Sequence, residues 1–555
     1  MTTTVNLRKL LHRKAWEMCT PNPVVTWGQG SILAFDENAI LPVSENATYM
    51  FSGGGLGALY NYNAEQDSWL QVISGGPTPV NSAGSMSVLH PLGMWGGTKT
   101  QTALAGTTTT LITSRNLVRK LAGLKIRVTG GTGAGYEGTI SDNTVGPNSV
   151  LTVTPASGIA FSATTTFEVY SGTVWLMPSV ASTTGTIYYF DRATNAWGTK
   201  ATVTLAANLA NHGKFVITPS LEATFDSGTA TAGAGNGALI SGTKNWLTNC
   251  WTNYQVRIIS GTGAGQYRTI SSNTATTLIV SAIWTTSPDA TSTFEITGDD
   301  DKIYLIGNAG VNIYQYSLSA NTWTAAMTVN VARAAVTGAG VTANWIANVS
   351  GWTVPQTAAV RANSTPYVLG QIITPVGGTD VNASWYECTT AGTTAVAEVA
   401  VALWRVNIGA AVTDGTAVFT RRMVPQNGRY IYSFRGAASA ALDILDLAAM
   451  SWNQCTSGTN FAYGHAGAET FSTGTSATDG NGAIYIYKAG DAQKLLKFDV
   501  ATHTLLPLAL GTYSGSTVYD GQKLWSQFYK DGATTIRFFY IGVPSKYEVL
   551  RMMEI

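Results

Sequence analysis

Chemistry in this chain would have to come from a short roster of side chains: five histidines, four cysteines, two glycine-rich GTGAG segments and a group of aromatics near position 400. A protein metal site gathers three or four ligands within about 2 Å of the ion. His12, His90, His212, His465 and His503 are scattered, although His90, His212 and His465 fall on corresponding segments of the successive repeats described below. That placement leaves two readings: ligands near a common axis, or histidines lining a channel and bonded to backbone groups. Cys19, Cys250, Cys388 and Cys455 form no CxxC or CxxH pair; they read as free thiols, with a disulfide between two of them as the alternative. The GTGAG segments at 131–135 and 261–265 have the glycine content of a phosphate cradle, but no helical periodicity follows them and no Lys-Ser/Thr pair is present. They are expected to be β-turns. Trp385, Tyr386 and Trp404 could offer flat faces to pyranose rings, or form the small core of a β module. No GxSxG elbow and no HExxH helix occurs. The expectation is a protein without catalytic residues, cofactor or metal.

The elements that would position these residues are β-strands. Of 555 residues only 11% are charged, 59 are Gly and 16 are Trp, a composition suited to short strands and tight turns. Lys plus Arg number 32 against 31 acidic residues, a formal net charge of +1, so no long-range field would gather nucleic acid. No stretch of 18 apolar residues runs unbroken, and membrane insertion is not expected. Nor does the N-terminus carry the apolar run of a secretory signal.

One pattern recurs: an apolar or aromatic strand, a polar turn, then an aromatic or Leu seven positions on. It runs from Tyr62 to Trp69, Phe190 to Trp197, Tyr316 to Trp323, Leu445 to Trp452, Phe498 to Leu505 and Tyr540 to Tyr547. Asn63, Asp191, Asp446 and Asp499 follow the anchor residue, where a short polar side chain can bond turn amides. A strand precedes each copy (YMFSGG, VWLMP, IYLIG, YIYSF, IYIYK, LWSQF), and further strands are expected upstream in SMSVLH, HGKFVIT, VARAAVT, YGHAGAETF and GSTVYD. Four strands per unit resemble the blade of a kelch repeat. The resemblance implies a six-bladed kelch-like β-propeller over 23–555, with Trp69, Trp197, Trp323, Trp452, Leu505 and Tyr547 packing between blades. The double glycine of kelch survives only at Gly53 to Gly55. A kelch copper oxidase would need a Tyr and Cys pair with two His, and a sialidase propeller its Ser-x-Asp-x-Gly-x-x-Trp boxes; neither is present.

Successive anchors are 128, 126, 129, 53 and 42 residues apart, so the first three intervals carry insertions. They are expected at 100–172, 226–299 and 340–425, each between the first and second strand of its blade and hence on one face. The first two are one β module used twice, since GLKIRVTGGTGAGYEGTISDNT matches YQVRIISGTGAGQYRTISSNT. The third reads as three strands with Gly-rich turns and resembles small modules of bacteriophage tail and fibre proteins. Residues 1–22 form an arm in which Leu7, Leu10, Leu11 and Trp16 share one side of a short helix, to pack in cis or on a neighbouring subunit.

Together the low-charge composition, the duplicated GTGAG module and the arm RKLLHRKAWEMCTPNPV resemble virion proteins of tailed bacteriophages. That resemblance implies a non-enzymatic structural protein of the virion, present in several copies and docked on tail, connector or capsid proteins. The alternative is an adhesin that binds host-surface glycan through Trp385, Tyr386 and Trp404.

Overall fold

The computed structural model of the chain describes residues 16–18, 32–35, 48–51, 57–63, 68–76, 85–89, 100–114, 121–122, 124–144, 148–169, 173–177, 184–191, 195–204, 214–217, 225–231, 235–298, 302–306, 313–317, 320–324, 329, 340–343, 354–426, 429–435, 441–456, 477–478, 483–487, 494–500, 504–509, 523–530, 534–541 and 549–553. Over these residues the chain is all-β, and its only helical segments are two single turns, Thr379–Asn382 and Val401–Trp404.

Six four-stranded antiparallel sheets account for the repeat. In chain order, the first holds Ile32–Phe35, Thr48–Phe51, Leu59–Asn63 and Ser68–Ile73. The second holds Ser85–Leu89, Thr173–Met177, Thr184–Asp191 and Ala196–Thr204. Lys214–Ile217, Lys302–Ile306, Ile313–Ser317 and Thr322–Trp323 make the third. Gly340–Ala343, Tyr430–Phe434, Ala441–Asp446 and Ser451–Thr456 make the fourth. The fifth comprises Ala477–Thr478, Ala483–Tyr487, Lys494–Asp499 and Thr504–Ala509. Lys523–Lys530, Thr534–Ile541 and Val549–Met553 form the sixth, completed by Trp16–Met18 from the other end of the chain. Within each sheet the first strand lies at one edge, and these first strands touch one another in cyclic order, the sixth returning to the first.

The seven-residue spacing of the anchors has a direct structural cause: each pair sits opposite across a hairpin. Tyr62 faces Trp69, Phe190 faces Trp197, Tyr316 faces Trp323, Leu445 faces Trp452 and Phe498 faces Leu505. In four of these pairs the far residue then packs toward the preceding sheet. Trp197 meets the Phe51 ring of the first sheet edge-on at 5.8 Å. Trp323 donates its indole N–H to the Ala201 carbonyl of the second sheet at 2.9 Å, and Asn321 accepts from the Ala201 amide at 3.0 Å. Trp452 is buried with Tyr304, Leu305 and Tyr316 of the third sheet. Leu505 lies with Tyr432, Phe434 and Ile444 of the fourth. Covered on both faces, Tyr430–Phe434 and Ala441–Asp446 are buried at every position, which is why YIYSF and ALDILD read as near-continuous apolar runs.

Two expectations are corrected here. Trp16 is not on a helix: Trp16–Met18 is a strand whose Trp16 pairs with Met552, because the open edge at Val549–Met553 offers it a full ladder. The first strands of the fourth and fifth sheets are described at 340–343 and 477–478, downstream of VARAAVT and YGHAGAETF. Those two segments, GSTVYD, Leu7, Leu10, Leu11 and Tyr547 lie outside the described residues.

Candidate functional site

All three insertions leave between the first and second strands of a sheet, in the second, third and fourth sheets. The first, between Ser85–Leu89 and Thr173–Met177, is a closed barrel of Gln101–Gly106, Thr110–Thr113, Lys125–Gly130, Glu137–Asn143, Val150–Thr154 and Thr166–Val169. Its twelve-residue buried core is drawn wholly from 103–169. The second insertion repeats these strands as a curled six-stranded sheet running from Asp226–Thr229 to Thr293–Thr297, then Gln255–Ser260, Tyr267–Asn273, Thr277–Val280 and Ala238–Ile240.

The GTGAG loops take the same form in both copies. Gly131, Gly133 and Gly135 have φ of 69°, 84° and 87°, and Gly261, Gly263 and Gly265 have 76°, 80° and 86°. The left-handed region is open to glycine without a Cβ penalty. Three amides of each turn bond within the hairpin: Ala134 donates to Gly131, Gly135 to Val128 and Tyr136 to Gly133, with the same bonds from Ala264, Gly265 and Gln266. A Ser/Thr/Asp turn clasps each loop. Thr165 donates its hydroxyl to the Thr132 carbonyl at 2.7 Å, and Ser292 to that of Thr262 at 2.6 Å. With these amides bonded within the hairpin and the Thr132 and Thr262 amides donating to the Thr164 and Thr291 hydroxyls, the loops are hairpin turns.

The third insertion contains more than three strands. Five form a sheet in the order Ala359–Val360, Ile372–Thr374, Trp385–Thr390, Ala417–Arg422, Ala411–Asp414, and Pro366–Tyr367 pairs separately with Gly392–Thr393. Tyr386 and Trp404 are both 0% exposed. Their rings meet edge-on at 4.8 Å in a core with Tyr367, Val412 and Phe419, and the Tyr386 hydroxyl donates to the Trp404 carbonyl. Of the two readings of these aromatics, the small core holds for Tyr386 and Trp404: these two of the three rings have no free face for a sugar, because a module this small needs them as its own core. Trp385 is half-buried and points elsewhere, against the core of the second module. Arg361 and Asp414, buried and bidentate at 2.7 and 3.1 Å, tie the strand ends together, with Arg361 also donating to the carbonyls of Ala395 and Ala397.

The second and third modules meet on the fourth sheet, around Asp446, which the repeat spacing marked, and Arg429, which it did not. Arg429, fully buried just before Tyr430–Phe434, forks onto Asp446 at 2.9 and 2.7 Å and also donates to the Ala383 carbonyl of the third module. Burial opposes its charge, but the Asp446 carboxylate outweighs that and holds the guanidinium protonated. Arg429 also bonds Gln426, which donates to the Cys250 carbonyl of the second module at 2.8 Å. Asp446 caps the turn that follows it, accepting from the Ala448 and Ala449 amides at 3.0 and 3.1 Å, as a short polar residue after the anchor is placed to do. The repeat marked Asp446 as a turn residue, but nothing in the sequence beyond their charge in a charge-poor chain marked Arg429 as its partner.

This arrangement can hold and present surfaces. Cys250 and Cys388 are buried free thiols, and burial pushes both thiols up, away from the reactive thiolate. Among the described residues no three His, Cys, Asp or Glu side chains gather as metal ligands, and no helix is long and apolar enough to cross a membrane. All five histidines, Cys19 and the side chain of Cys455 lie outside the described residues.

No model of a known protein family matches the chain, and no curated protein does. Among solved structures it is similar to Sqt1 of Saccharomyces cerevisiae, at 8% identity and a TM-score of 0.28 over 98% of this chain and 100% of that one. It is also similar to an arginine-to-alanine triple mutant of AofleA from Arthrobotrys oligospora, at 8% identity and a TM-score of 0.32 over 98% of this chain and 87% of that one. Likeness at these scores carries no argument about fold or function.

Proposed function

We propose that this chain is a non-enzymatic structural protein of a bacteriophage virion, tail-associated or otherwise surface-exposed, built on a six-bladed kelch-like β-propeller that docks on other virion proteins. The propeller reading is supported by six four-stranded sheets whose first strands neighbour one another in a cycle, and by the N-terminal strand completing the last sheet. The observation that carries the docking role is the placement of the insertions. In an antiparallel blade the loop between the first and second strands always emerges on one face of the disc, so three successive insertions crowd that face and leave the opposite one for a flat partner. Such a face must bury roughly 1,000 Å² or more to hold. The virion assignment itself rests on the resemblance of the duplicated module and the composition to phage proteins, and the multiple copies and the connector, tail or capsid neighbour follow from it.

Electron microscopy of purified particles labelled with gold-tagged antibody to residues 100–172 tests both parts. Regular label at one level of the particle, with the tag outward, is expected, as are six-sectored discs in images of the free protein. Absence of the chain from washed particles by mass spectrometry would refute the virion role, and images without six sectors would refute the propeller. A glycan-binding role for Trp385, Tyr386 and Trp404 has lost its geometric support, since two of the three rings are enclosed.

A further inference from the structure

We infer that the second and third modules form a single rigid head, keyed onto the fourth sheet by Arg429, so that a displacement of either module is transmitted to that sheet. Three sets of bonds converge on this joint. Between the modules, Leu247 donates to Pro355, Thr357 donates to Asn245, and the Thr357 hydroxyl bonds the Trp246 carbonyl. From the second module to the sheet, Asn253 donates to the Leu447 carbonyl at 2.8 Å. From the third module, Arg421 donates to Asn453 of the sheet at 2.6 Å while holding Ser384 at 2.9 Å. Arg429 sits at the centre, with bonds to Asp446 of the sheet, to Ala383 of the third module and, through Gln426, to Cys250 of the second. The apolar seam follows the same path, since Val424, Trp385 and Val354 pack with the core of the second module.

The duplicated module supplies its own comparison. Leu121 donates its amide to Asn143, and Trp251 donates to Asn273 in the same way. Leu124 accepts from Ile140 as Tyr254 accepts from Ile270. At this matched face the first module carries Leu121 and Leu124 where the second carries the larger buried Trp251 and Tyr254, and in sequence Lys120 stands where the second has Cys250. Both pairs are buried, but Leu121 and Leu124 lie in a core drawn from the first module alone, whereas the core holding Trp251 and Tyr254 extends to Val354, Trp385 and Val424 outside the second module. A buried charge bonded to three segments at once leaves no low-cost intermediate arrangement, because separating any one strands polar groups without water. The joint therefore opens as a unit, whichever partner the chain docks on.

Hydrogen exchange on the full-length protein tests this, with Arg429→Met as the first variant and Asn253→Ala/Gln426→Ala as the second. The second leaves the Arg429–Asp446 pair intact and guards against a variant that fails to fold. Peptides covering 245–258 and 354–362, which hold the Leu247 and Thr357 amides, are expected to exchange at least ~10-fold faster together in both variants. Peptides of the first module over 124–144 are expected to keep the parent rate. Acceleration confined to the fourth sheet, acceleration of only one of the two modules, or an equal rise in the first module would each overturn the inference.

Discussion

Replacing Gly131 and Gly135 by alanine, one at a time, separates backbone conformation from crowding within a single turn. Both glycines are left-handed, with φ of 69° and 87°, so each alanine pays the left-handed cost of about 1–2 kcal/mol. A Cβ on Gly135 would meet nothing within 4 Å, and that cost should be the whole effect. On Gly131 it would run into the Thr164 carbonyl and lie 3.0 Å from the Thr165 amide nitrogen. Backbone cannot rotate away as a side chain can. The clasp must shift, loosening the bonds from Thr165 to Ser162 and from the Thr165 hydroxyl to Thr132, each worth about 1 kcal/mol. Gly131→Ala is thus expected to cost about 3–4 kcal/mol against about 1–2 for Gly135→Ala. The assay is urea unfolding of an excised fragment, 100–172, which should fold alone because its barrel closes on itself and its core is self-contained. Equal losses for the two variants, or a parent fragment that does not fold, would refute the reasoning.

Three further outcomes follow from the geometry. Trp452→Ala removes a side chain only 2% exposed between the third and fourth sheets and should cost about 3–5 kcal/mol, whereas Leu70→Ala, at 60% exposed, should cost well under 1; denaturant midpoints check the contrast. Cys250 and Cys388 should resist iodoacetamide in the native protein at pH 8 and react fully in urea, since burial raises both thiols; prompt native labelling of either would contradict their placement. Asp289 is held below its ordinary value of 3.8 by hydrogen bonds from Thr291. A carboxylate depressed in the folded state stabilises above its unfolded value and loses that contribution as pH falls through the folded one. Asp289→Ser, which copies Ser162 of the first module, should therefore flatten the acid dependence of local exchange at 285–298 between pH 5 and 2, and an unchanged profile would count against the role given to Thr291.

Local pattern alone determined the repeat and its partners. A Trp seven positions past a strand anchor lies opposite it whenever a short turn closes the hairpin, so the pairs from Tyr62/Trp69 to Phe498/Leu505 follow from spacing. Identity between segments 130 residues apart likewise made the GTGAG modules recognisable as copies, and the lack of a following helix marked their loops as turns. Tertiary structure decided the rest. Nothing near Trp16 signals that its ladder partner is Met552, since the partner is set by which edge is left open when the sheets assemble. Whether Tyr386 and Trp404 faced water or each other depended on how few apolar residues the third module has for its core, and Trp385 turned instead to the core of the second module. Arg429 and Asp446 lie 17 positions apart with no motif between them. Their worth as a pair comes from the low-dielectric joint that three separate segments build around them.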